Sequence, residues 1–257
     1  MLLYRIAPEG FFAAGESPDR LRVLFSSPFE VPVASWEFGR PLSAGDVVPL
    51  APVVPSKILG FGRTYRAHAE ELGNSVPEEP LLFLKAPSSL IGPRSPVVLP
   101  PESERVEYEG EVALVIRRRI SRVSPEDALA SVLGVTCGCD VTARDLQRRD
   151  AVAFARGKSF DTFCPLGPAI QVRPDYEGIE VVTRLNGAER QRGRSAQLVW
   201  PLAELVSFAS HMMTLEPGDV LLTGTPEGVG PLADGDRLEV EVSGVGVLAV
   251  PVEKLAS

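Results

Sequence analysis

The chain has 257 residues and a formal net charge of −8 at pH 7, with 26 Lys and Arg against 34 Asp and Glu. This length allows a full apolar core, and the acidic balance argues against nucleic acid or an anionic membrane as a partner. No apolar run approaches the ~20 residues that cross a bilayer, and no signal peptide is evident, so the sequence predicts a cytoplasmic protein. Three cysteines without a C-x-x-C spacing argue against a disulfide framework or a structural zinc site.

The N-terminal segment is predicted to be rich in short strands. Two strands are read from LLYRIA and RLRVLF, and a turn-rich stretch follows them. Pro49, Pro52 and Pro55 then interrupt any regular element. We therefore predict a small β-rich unit over residues 1–55 and a larger unit over residues 56–257.

The larger unit begins with a strand, KILGFG, and a short helix, TYRAHAEELG. Thr64 can cap the N-terminus of this helix, and Gly73 can end it. The strands LLFLK and PVVLP come next, followed by the long strand VEYEGEVALVI. The segment SPEDALASVLG predicts a helix with Ser124 as the N-cap, Pro125 at its first position and Gly134 just after its end.

The C-terminal half alternates strands with one amphipathic helix. The sequence predicts a strand in VTCGCDVTA, a hairpin that turns at Asn186–Gly187, and a helix in PLAELVSFASHMMTL. A strand with a glycine-rich loop, GDVLLTGTPEGVG, precedes two final strands. Strands outnumber helices and many are locally antiparallel, which favours an α+β fold with a folded-over sheet over a doubly wound fold.

Three acidic residues, Glu109, Glu111 and Asp140, are the most informative feature of the sequence. Side chains alternate across a strand, so Glu109 and Glu111 point to the same face. Two neighbouring carboxylates repel each other unless a positive charge lies between them, and oxygen ligands suit a hard cation such as Mg²⁺. The alternative is a solvated acidic face on an exposed strand, and the spacing alone favours neither.

A second candidate is the pair His68 and Glu71, spaced i, i+3 on the short helix. A carboxylate beside an imidazole orients the ring and raises its basicity, as a general base requires. The alternative is a surface histidine with an incidental acidic neighbour. His211 lies beside two methionines in the amphipathic helix, and we interpret it as a structural or surface residue.

Two lysines and one loop could contact an anion. Lys85 ends LLFLK and Lys158 lies in GKSFD, and each is either an ordinary surface lysine or part of a positive wall beside the carboxylates. The loop TGTPEGVG can present backbone N–H groups to an anion, although it is not a P-loop. The absence of G-x-S-x-G leaves a serine hydrolase unsupported.

Six segments in one order form a specific combination. They are KILGFGRTYRAHAEELG, PLLFLKAPSSLIGP, YEGEVALVI, CDVTARDLQ, GKSFDTFCPLGP and MTLEPGDVLLTGTPEGVGPL. With these segments the chain resembles the fumarylacetoacetate hydrolase family from about Lys57 to the end, whereas the first ~55 residues carry no comparable signature. The resemblance implies an α+β fold built on a rolled mixed β-sheet, a bound Mg²⁺ or Mn²⁺ ion, and a homodimer.

The resemblance also implies a role for each matching residue. The metal ligands would be Glu109, Glu111 and Asp140, and the catalytic residues would be His68, Glu71 and Lys158. Thr225 would bind a substrate carboxylate, and further substrate-binding residues would be Arg63, Lys85, Arg144 and Gln147. The chain has Thr64, Ala86 and Cys139 where members usually have Asn, Pro and Asn, and none of these departures removes a predicted ligand or base.

Members of this family act on small 2-oxo acids and their enols, so the resemblance implies a small anionic 2-oxo acid or 2-hydroxydienoate as substrate. The leading expectation is Mg²⁺-dependent hydrolysis of a C–C bond in an acylpyruvate-type substrate of aromatic or amino-acid catabolism, because a His–Glu pair suits water activation. One alternative is isomerisation of 2-hydroxyhepta-2,4-diene-1,7-dioate, with or without decarboxylation. The others are oxaloacetate decarboxylation and, from a different class, non-catalytic binding of keto acids.

Overall fold

Strands dominate the fold, as the short apolar segments and frequent turns predict. The structure is a computed structural model that describes residues 1–43, 45, 47–150 and 154–255. Within those ranges the strands are β1 (Leu2–Ile6), β2 (Phe11–Gly15), β3 (Leu21–Leu24), β4 (Phe38–Pro41), β5 (Ile58–Gly62), β6 (Leu81–Lys85), β7 (Leu90–Ile91), β8 (Val97–Leu99), β9 (Val106–Tyr108), β10 (Gly110–Ile116), β11 (Val132–Cys139), β12 (Thr142–Ala143), β13 (Cys164–Val172), β14 (Glu180–Leu185), β15 (Ala188–Arg194), β16 (Val220–Leu222), β17 (Gly230–Pro231), β18 (Arg237–Val242) and β19 (Gly246–Lys254). The α-helices of the same ranges are α1 (Arg66–Glu71), α2 (Pro125–Ala128), α3 (Arg144–Arg149), α4 (Ala155–Lys158) and α5 (Leu202–Met212).

The strands form one large sheet and two smaller sheets. The large sheet has the order β4-β3-β2-β1-β13-β11-β10-β16-β5-β6, and β7 also pairs with β13. The smaller sheets have the orders β15-β14-β18-β19-β8 and β12-β9-β17. Most neighbours are antiparallel, but β5 and β16 are parallel, as are β7 and β13, and β8 and β19. Mixed pairing with few, short helices confirms the predicted α+β class.

The central strand β10 is buried on both faces. One face carries Val112 and Leu114, which pack in the main apolar cluster with side chains of β11, β18, β19 and α5. The other face carries Ala113 and Val115, which pack in a second cluster. Burial of a Val or Leu side chain contributes about 1.5–3 kcal/mol, so this strand is a rigid support for the carboxylates at its start.

The N-terminal strands extend the large sheet. Strand β1 pairs antiparallel with both β2 and β13, with Leu2 opposite Gln171 and Leu3 opposite Ile170. Leu3, Leu24 and Trp36 also pack in the second apolar cluster, together with Ile170. The two portions of the chain therefore share one sheet and one apolar cluster, and the boundary at residue 55 stays a prediction about independent folding.

The helix predicted between Ser124 and Gly134 is too long. Ser124 is its N-cap, as predicted, but α2 ends at Ala128, a 3₁₀ turn covers Leu129–Ser131, and β11 begins at Val132. The side chains of the first β11 residues are buried between neighbouring strands. Burial of β-branched side chains in a sheet outweighs the local helical pattern here.

The helix α1 also begins differently from the prediction. Its N-cap is Tyr65, and the Thr64 hydroxyl instead donates a hydrogen bond to the Thr223 carbonyl (2.8 Å). Thr64 therefore ties the start of the helix to the residue that follows the strand β16 rather than capping it. Gly73 has a φ of +69° just after the helix, which confirms the predicted end.

The predicted hairpin is also present. Asn186 (φ +54°) and Gly187 (φ +79°) join β14 to β15 in a two-residue turn. Among the described residues, no helix is both long and apolar enough to cross a membrane.

Candidate active site

The three predicted carboxylates converge where β9, β10 and β11 meet. The oxygens of Glu109, Glu111 and Asp140 lie within 4.8 Å of one another, and all three residues are buried. Gly110 of β10 lies opposite Cys139 of β11, so this antiparallel register brings Asp140 beside Glu109. The Asp140 amide also donates to the Glu109 carbonyl (2.8 Å). Burial excludes the alternative of a solvated acidic face.

Two buried lysines neutralise part of this charge. Lys158 Nζ donates to Glu109 Oε2 (2.8 Å) and also to an Asp140 oxygen. Lys85 Nζ donates to Asp140 Oδ1 (2.7 Å) from the other side. Burial alone would lower the pKa of Lys158, but Asp140 and Glu109 outweigh it and raise that pKa. Lys158 is therefore a permanent cation between two of the carboxylates.

Arg144 supplies a third buried cation from the first residue of α3. Its guanidinium donates to Glu109 Oε1 and, through Nε, to Glu107 Oε2 (2.6 Å), and it also contacts Gln147. Burial raises the pKa of Glu109, but Lys158 and Arg144 reverse this effect and hold the pKa well below its usual range. Glu109 is therefore ionised across the physiological pH range.

Glu111 is the carboxylate of the three that lacks a cationic partner among the described residues. Its Oε2 accepts a hydrogen bond from the Gly224 amide (2.6 Å). Burial, and then the neighbouring charges of Asp140 and Glu109, raise the pKa of Glu111 well above its ordinary value. A divalent cation would relieve this repulsion, and the oxygen-only donor set suits Mg²⁺ or Mn²⁺.

His68 and Glu71 form the second part of the site, on α1. His68 Nδ1 lies 3.3 Å from Glu71 Oε2, and the histidine is buried. The Glu71 carboxylate also accepts from the Gly228 amide at 3.0 and 3.2 Å. The loop after β16 thus orients the carboxylate, and the carboxylate orients the ring. Nδ1 is occupied by this contact, which leaves Nε2 as the nitrogen free to exchange a proton with a ligand.

One cavity of about 310 Å³ brings these two parts together. Its polar wall includes eight residues predicted from the sequence, namely Arg63, His68, Glu109, Glu111, Arg144, Gln147, Lys158 and Thr225. The apolar wall is formed by side chains such as Phe61, Leu81, Phe83 and Phe154. The cavity size fits a small organic acid rather than a polymer.

Lys85 is placed differently from the other predicted substrate-binding residues. It is 1% exposed, does not line the cavity, and also donates to the Val141 carbonyl (3.2 Å). In this geometry Lys85 positions Asp140 from behind, and a direct substrate contact by this residue stays a prediction. His211 is exposed on α5 and bonds to Ser207 of its own helix (2.9 Å), which agrees with the structural or surface interpretation.

Gln191 is a site residue that the sequence analysis missed. Its amide donates to Thr225 Oγ1 (2.7 Å) and the Pro226 carbonyl (2.8 Å), and its Oε1 accepts from the Gly110 amide (3.0 Å). It therefore fixes the substrate-side loop against the start of β10. Gln191 lies among charged residues of β15, and its sequence context resembles a solvated strand, so no local signal distinguishes it.

Arg148 is a second site residue that the sequence analysis missed, although its spacing from Arg144 indicates its position. It lines the cavity and lies four residues after Arg144 on α3. Residues spaced i, i+4 share one helical face. The assignment of Arg144 to the site therefore indicates that Arg148 faces it as well.

Residues 57–253 match the family model described as fumarylacetoacetate (FAA) hydrolase C-terminal. The chain belongs to the fumarylacetoacetate hydrolase family. Oxaloacetate tautomerase FAHD2A, mitochondrial, of Homo sapiens is 41% identical over 219 residues, which are 80% of this chain and 70% of that protein. The resemblance of the six sequence segments to this family is thereby confirmed.

Two solved structures of family members superpose closely. The 5-carboxymethyl-2-hydroxymuconate delta-isomerase from Mycobacterium smegmatis has a TM-score of 0.90 and 42% identity, over 99% of this chain and 100% of that chain. The 2-hydroxyhepta-2,4-diene-1,7-dioate isomerase from Mycobacterium marinum has a TM-score of 0.89 and 38% identity, over 100% of both chains. These relatives bear the names of enzymes that act on small acids.

Proposed function

We propose that this protein catalyses proton transfer at the carbon beside the carbonyl of a small 2-oxo acid. The reaction would be a keto–enol tautomerisation or a double-bond isomerisation. The observation that carries the proposal is the position of His68, oriented by Glu71, in the same cavity as the carboxylates Glu109 and Glu111. The relatives named tautomerase and isomerase support the same reaction class.

The buried carboxylates would hold the divalent cation. Glu109, Glu111 and Asp140 offer converging oxygens, and Glu111 has no cationic partner among the described residues. A divalent cation bound there would supply Lewis-acid stabilisation of the negative charge that develops on the 2-oxo oxygen. Magnesium is the expected ion, with manganese as the substitute.

The remaining steps fall to the chain's own side chains. His68 Nε2 would take the proton from the substrate carbon and return it at the new position, while Glu71 stabilises the imidazolium. Lys158 would keep its positive charge beside the developing enolate, and Thr225 would bind the substrate carboxylate. The apolar wall formed by Phe61 and Phe83 would keep water from the reacting carbon.

Hydrolysis of an acylpyruvate-type C–C bond is the second candidate, and it uses the same groups. A buried histidine with a carboxylate partner can deprotonate a water molecule as readily as a carbon acid.

Oxaloacetate decarboxylation would need the cation but no base. A non-catalytic binder would need neither His68 nor Glu71, so the oriented pair argues against that class. Cytoplasmic location and a role in aromatic or amino-acid catabolism stay predictions.

Two measurements with Mg²⁺, Mn²⁺ or EDTA test the proposal. The first follows, by NMR in D₂O, deuterium incorporation beside the carbonyl of 2-oxobutyrate, which has no activated C–C bond. The second follows the ultraviolet absorbance of enol oxaloacetate and of acetylpyruvate, with product analysis. We expect metal-dependent deuterium exchange and loss of the oxaloacetate enol. Metal-dependent formation of acetate and pyruvate from acetylpyruvate without exchange would instead establish hydrolysis, and release of CO₂ alone would establish decarboxylation.

A further inference from the structure

The ring of Phe83 lies against the ammonium group of Lys158. Lys158 Nζ is over the face of this ring, 4.9 Å from its centroid. The face of an aromatic ring is the negative part of its quadrupole, so it attracts a cation within about 6 Å. This attraction is strongest where water is excluded, and Lys158 is only 3% exposed. The contact is therefore electrostatic as well as a packing contact.

The ring completes the surroundings of the ammonium group. A lysine ammonium group has three N–H donors. Glu109 and Asp140 accept hydrogen bonds from Lys158 Nζ, and no third acceptor for this group occurs within the described ranges. Phe83 and Lys158 both line the cavity. The ring therefore contacts a part of the ammonium group that the carboxylates leave open.

The strand β6 brings the ring to this position. Side chains at alternate positions of a strand share a face, so Leu81, Phe83 and Lys85 point the same way. Lys85 donates to Asp140 (2.7 Å), Phe83 contacts Lys158, and Leu81 lines the cavity. One face of one strand thus supports both a carboxylate and an ammonium group of the site.

Two neighbours hold the ring itself in place. Phe83 lies opposite Gly60 in the antiparallel pair of β6 and β5. A methyl group at Gly60 would overlap the Phe83 ring, so the glycine leaves the space that the ring fills. Phe154 meets the ring edge to face, with a centroid distance of 5.8 Å and an interplanar angle of 82°. The position of the ring therefore does not depend on Lys158.

We infer that Phe83 is a positioning residue for Lys158, whose ammonium group it holds at the cavity by a cation–π interaction. A lysine side chain is otherwise flexible. A fixed ammonium group can stabilise negative charge on a ligand without first reorganising. The inference rests on the proposed function only for the role of Lys158 beside the developing enolate. It implies that the electron density of the ring, and not only its size, affects turnover.

Nuclear magnetic resonance of lysine labelled with ¹³C at Cε tests the contact without any substrate. The chain has four lysines, so the spectrum is simple, and Lys158→Arg identifies the Lys158 signal. Protons above an aromatic ring resonate upfield. With saturating Mg²⁺ we expect the Lys158 Cε protons upfield of their ordinary chemical shift, and a return toward it in Phe83→Leu. Phe38→Leu is the matched control, because the Phe38 ring also lies under a cation, Arg22 at 5.8 Å, but does not line the cavity.

Ring fluorination separates the electronic effect from packing, and it keeps the inference testable if Phe83→Leu fails to fold. Phenylalanine with one, two or three fluorine atoms in place of Phe83 nearly keeps its shape but loses negative charge from its face. We expect kcat for deuterium exchange to fall stepwise, by about threefold to thirtyfold across the series, the usual strength of such a contact, with KM within about twofold. The same series in place of Phe38 should leave kcat and the Lys158 signal unchanged.

The outcomes separate this inference from the proposed reaction. An ordinary Lys158 chemical shift in the wild type, a chemical shift that Phe83→Leu leaves unchanged, or a kcat that is the same for every ring would overturn the inference even if turnover is observed. An upfield signal that weakens with each added fluorine atom, without turnover of any 2-oxo acid, would support the inference and count against the proposed reaction alone.

Discussion

Glu111 is the carboxylate of the site that has no cationic partner among the described residues. Lys158, Lys85 and Arg144 pair with Glu109 and Asp140, while Glu111 has only a backbone amide. A buried carboxylate without a cation is costly, so we expect the fold to gain stability if a divalent cation binds. We therefore predict that metal binding and folding stability are coupled at Glu111.

Replacement of Glu111 should therefore have opposite effects with and without metal. Saturation to 100 times the Kd adds about 2.7 kcal/mol to stability, which is roughly 5–10 °C in Tm for a chain of this size. We expect Mg²⁺ to raise the wild-type Tm in this way. Glu111→Gln should raise the Tm in EDTA and lose most of the Mg²⁺ response. Differential scanning calorimetry measures both, with the exposed Glu126→Gln on α2 as control. A full Mg²⁺ response in Glu111→Gln would show that the ion binds elsewhere.

The second prediction concerns the base. His68→Ala should lower turnover by ~10²–10⁴, the usual contribution of a general base, because no other imidazole is near the cavity. Its affinity for Mg²⁺ should stay nearly unchanged, since His68 is not a ligand. Steady-state kinetics and metal titration measure the two effects. His211→Ala, which changes the exposed histidine on α5, should behave as wild type. Wild-type turnover in His68→Ala would move the base to another residue.

Site residues can be predicted from the sequence when their side chains suit the chemistry and lie close together along the chain. The two-residue spacing of Glu109 and Glu111 and the i, i+3 spacing of His68 and Glu71 are visible locally. Gln191 acts through contacts with Gly110 and a distant loop, and such contacts exist only once the sheets have assembled. No periodicity or composition encodes them.

At the scale of elements, the loop after β16 connects both halves of the site. The Gly224 amide holds Glu111 and the Gly228 amide holds Glu71. Both glycines have a positive φ, +95° and +97°. A side chain at Gly224 would also overlap the Thr64 hydroxyl. The glycine-rich loop therefore presents backbone N–H groups to anions, as predicted, and these anions are the side chains of Glu111 and Glu71.

Gly224→Ala should accordingly damage both stability and metal binding. Left-handed backbone in a non-glycine residue costs of order 1–3 kcal/mol, and the overlap with Thr64 adds to that. We expect a lower Tm and a weaker affinity for Mg²⁺, because the shifted loop no longer donates to Glu111. Gly235→Ala is the matched control, with φ +84° and open space around the new methyl group. Equal losses in the two variants would mean that the Thr64 overlap is relieved without consequence.

The helix α1 is predicted to close over the substrate. It has six residues, and isolated helices of that length are marginal. Its stability therefore depends on contacts such as that between Glu71 and the Gly228 amide. Hydrogen exchange should show that amides of α1 become more protected when Mg²⁺ and a 2-oxo acid bind, whereas those of α5 stay unchanged. Equal protection of α1 with and without the ligand would contradict this prediction.

Elements with strong local signals were predicted correctly. The turn at Asn186–Gly187 and the helix α5 follow from turn chemistry and apolar periodicity alone. The segment after Ala128 was mispredicted, because its local helical pattern is overridden by neighbouring strands. Local sequence patterns do not show which distant strands pair with each other, and here that pairing determines the structure of the segment.

For the whole molecule, we expect a homodimer. The resemblance to the family implies it, and β6 at one end of the large sheet leaves Leu84 47% exposed. Light scattering at micromolar concentration should give twice the chain mass of 27.6 kDa. A mass of 27.6 kDa would reject the dimer.

The order of strands in the large sheet could not be predicted. The sequence indicates β1 and β3 as short strands, but not β2, β4 or the attachment of β1 to β13. That attachment depends on backbone pairing between Leu2 and Gln171, which leaves no trace in composition or periodicity. Family resemblance supplies the fold from about Lys57 onward and says nothing about this edge.

The pairing of β1 with β13 also sets the timing of folding during synthesis. Ribosomes add about 5–20 residues per second, so Gln171 leaves the ribosome on the order of ten to thirty seconds after Leu2. Throughout that interval Leu3, Leu24 and Trp36 lack the β13 members of their native cluster, such as Leu166 and Ile170. The nascent chain must therefore carry an unpaired, apolar edge on β1 until about two thirds of its 257 residues have been synthesised. Its yield in cells should therefore depend on translation speed and holding chaperones more than on the stability of the finished fold.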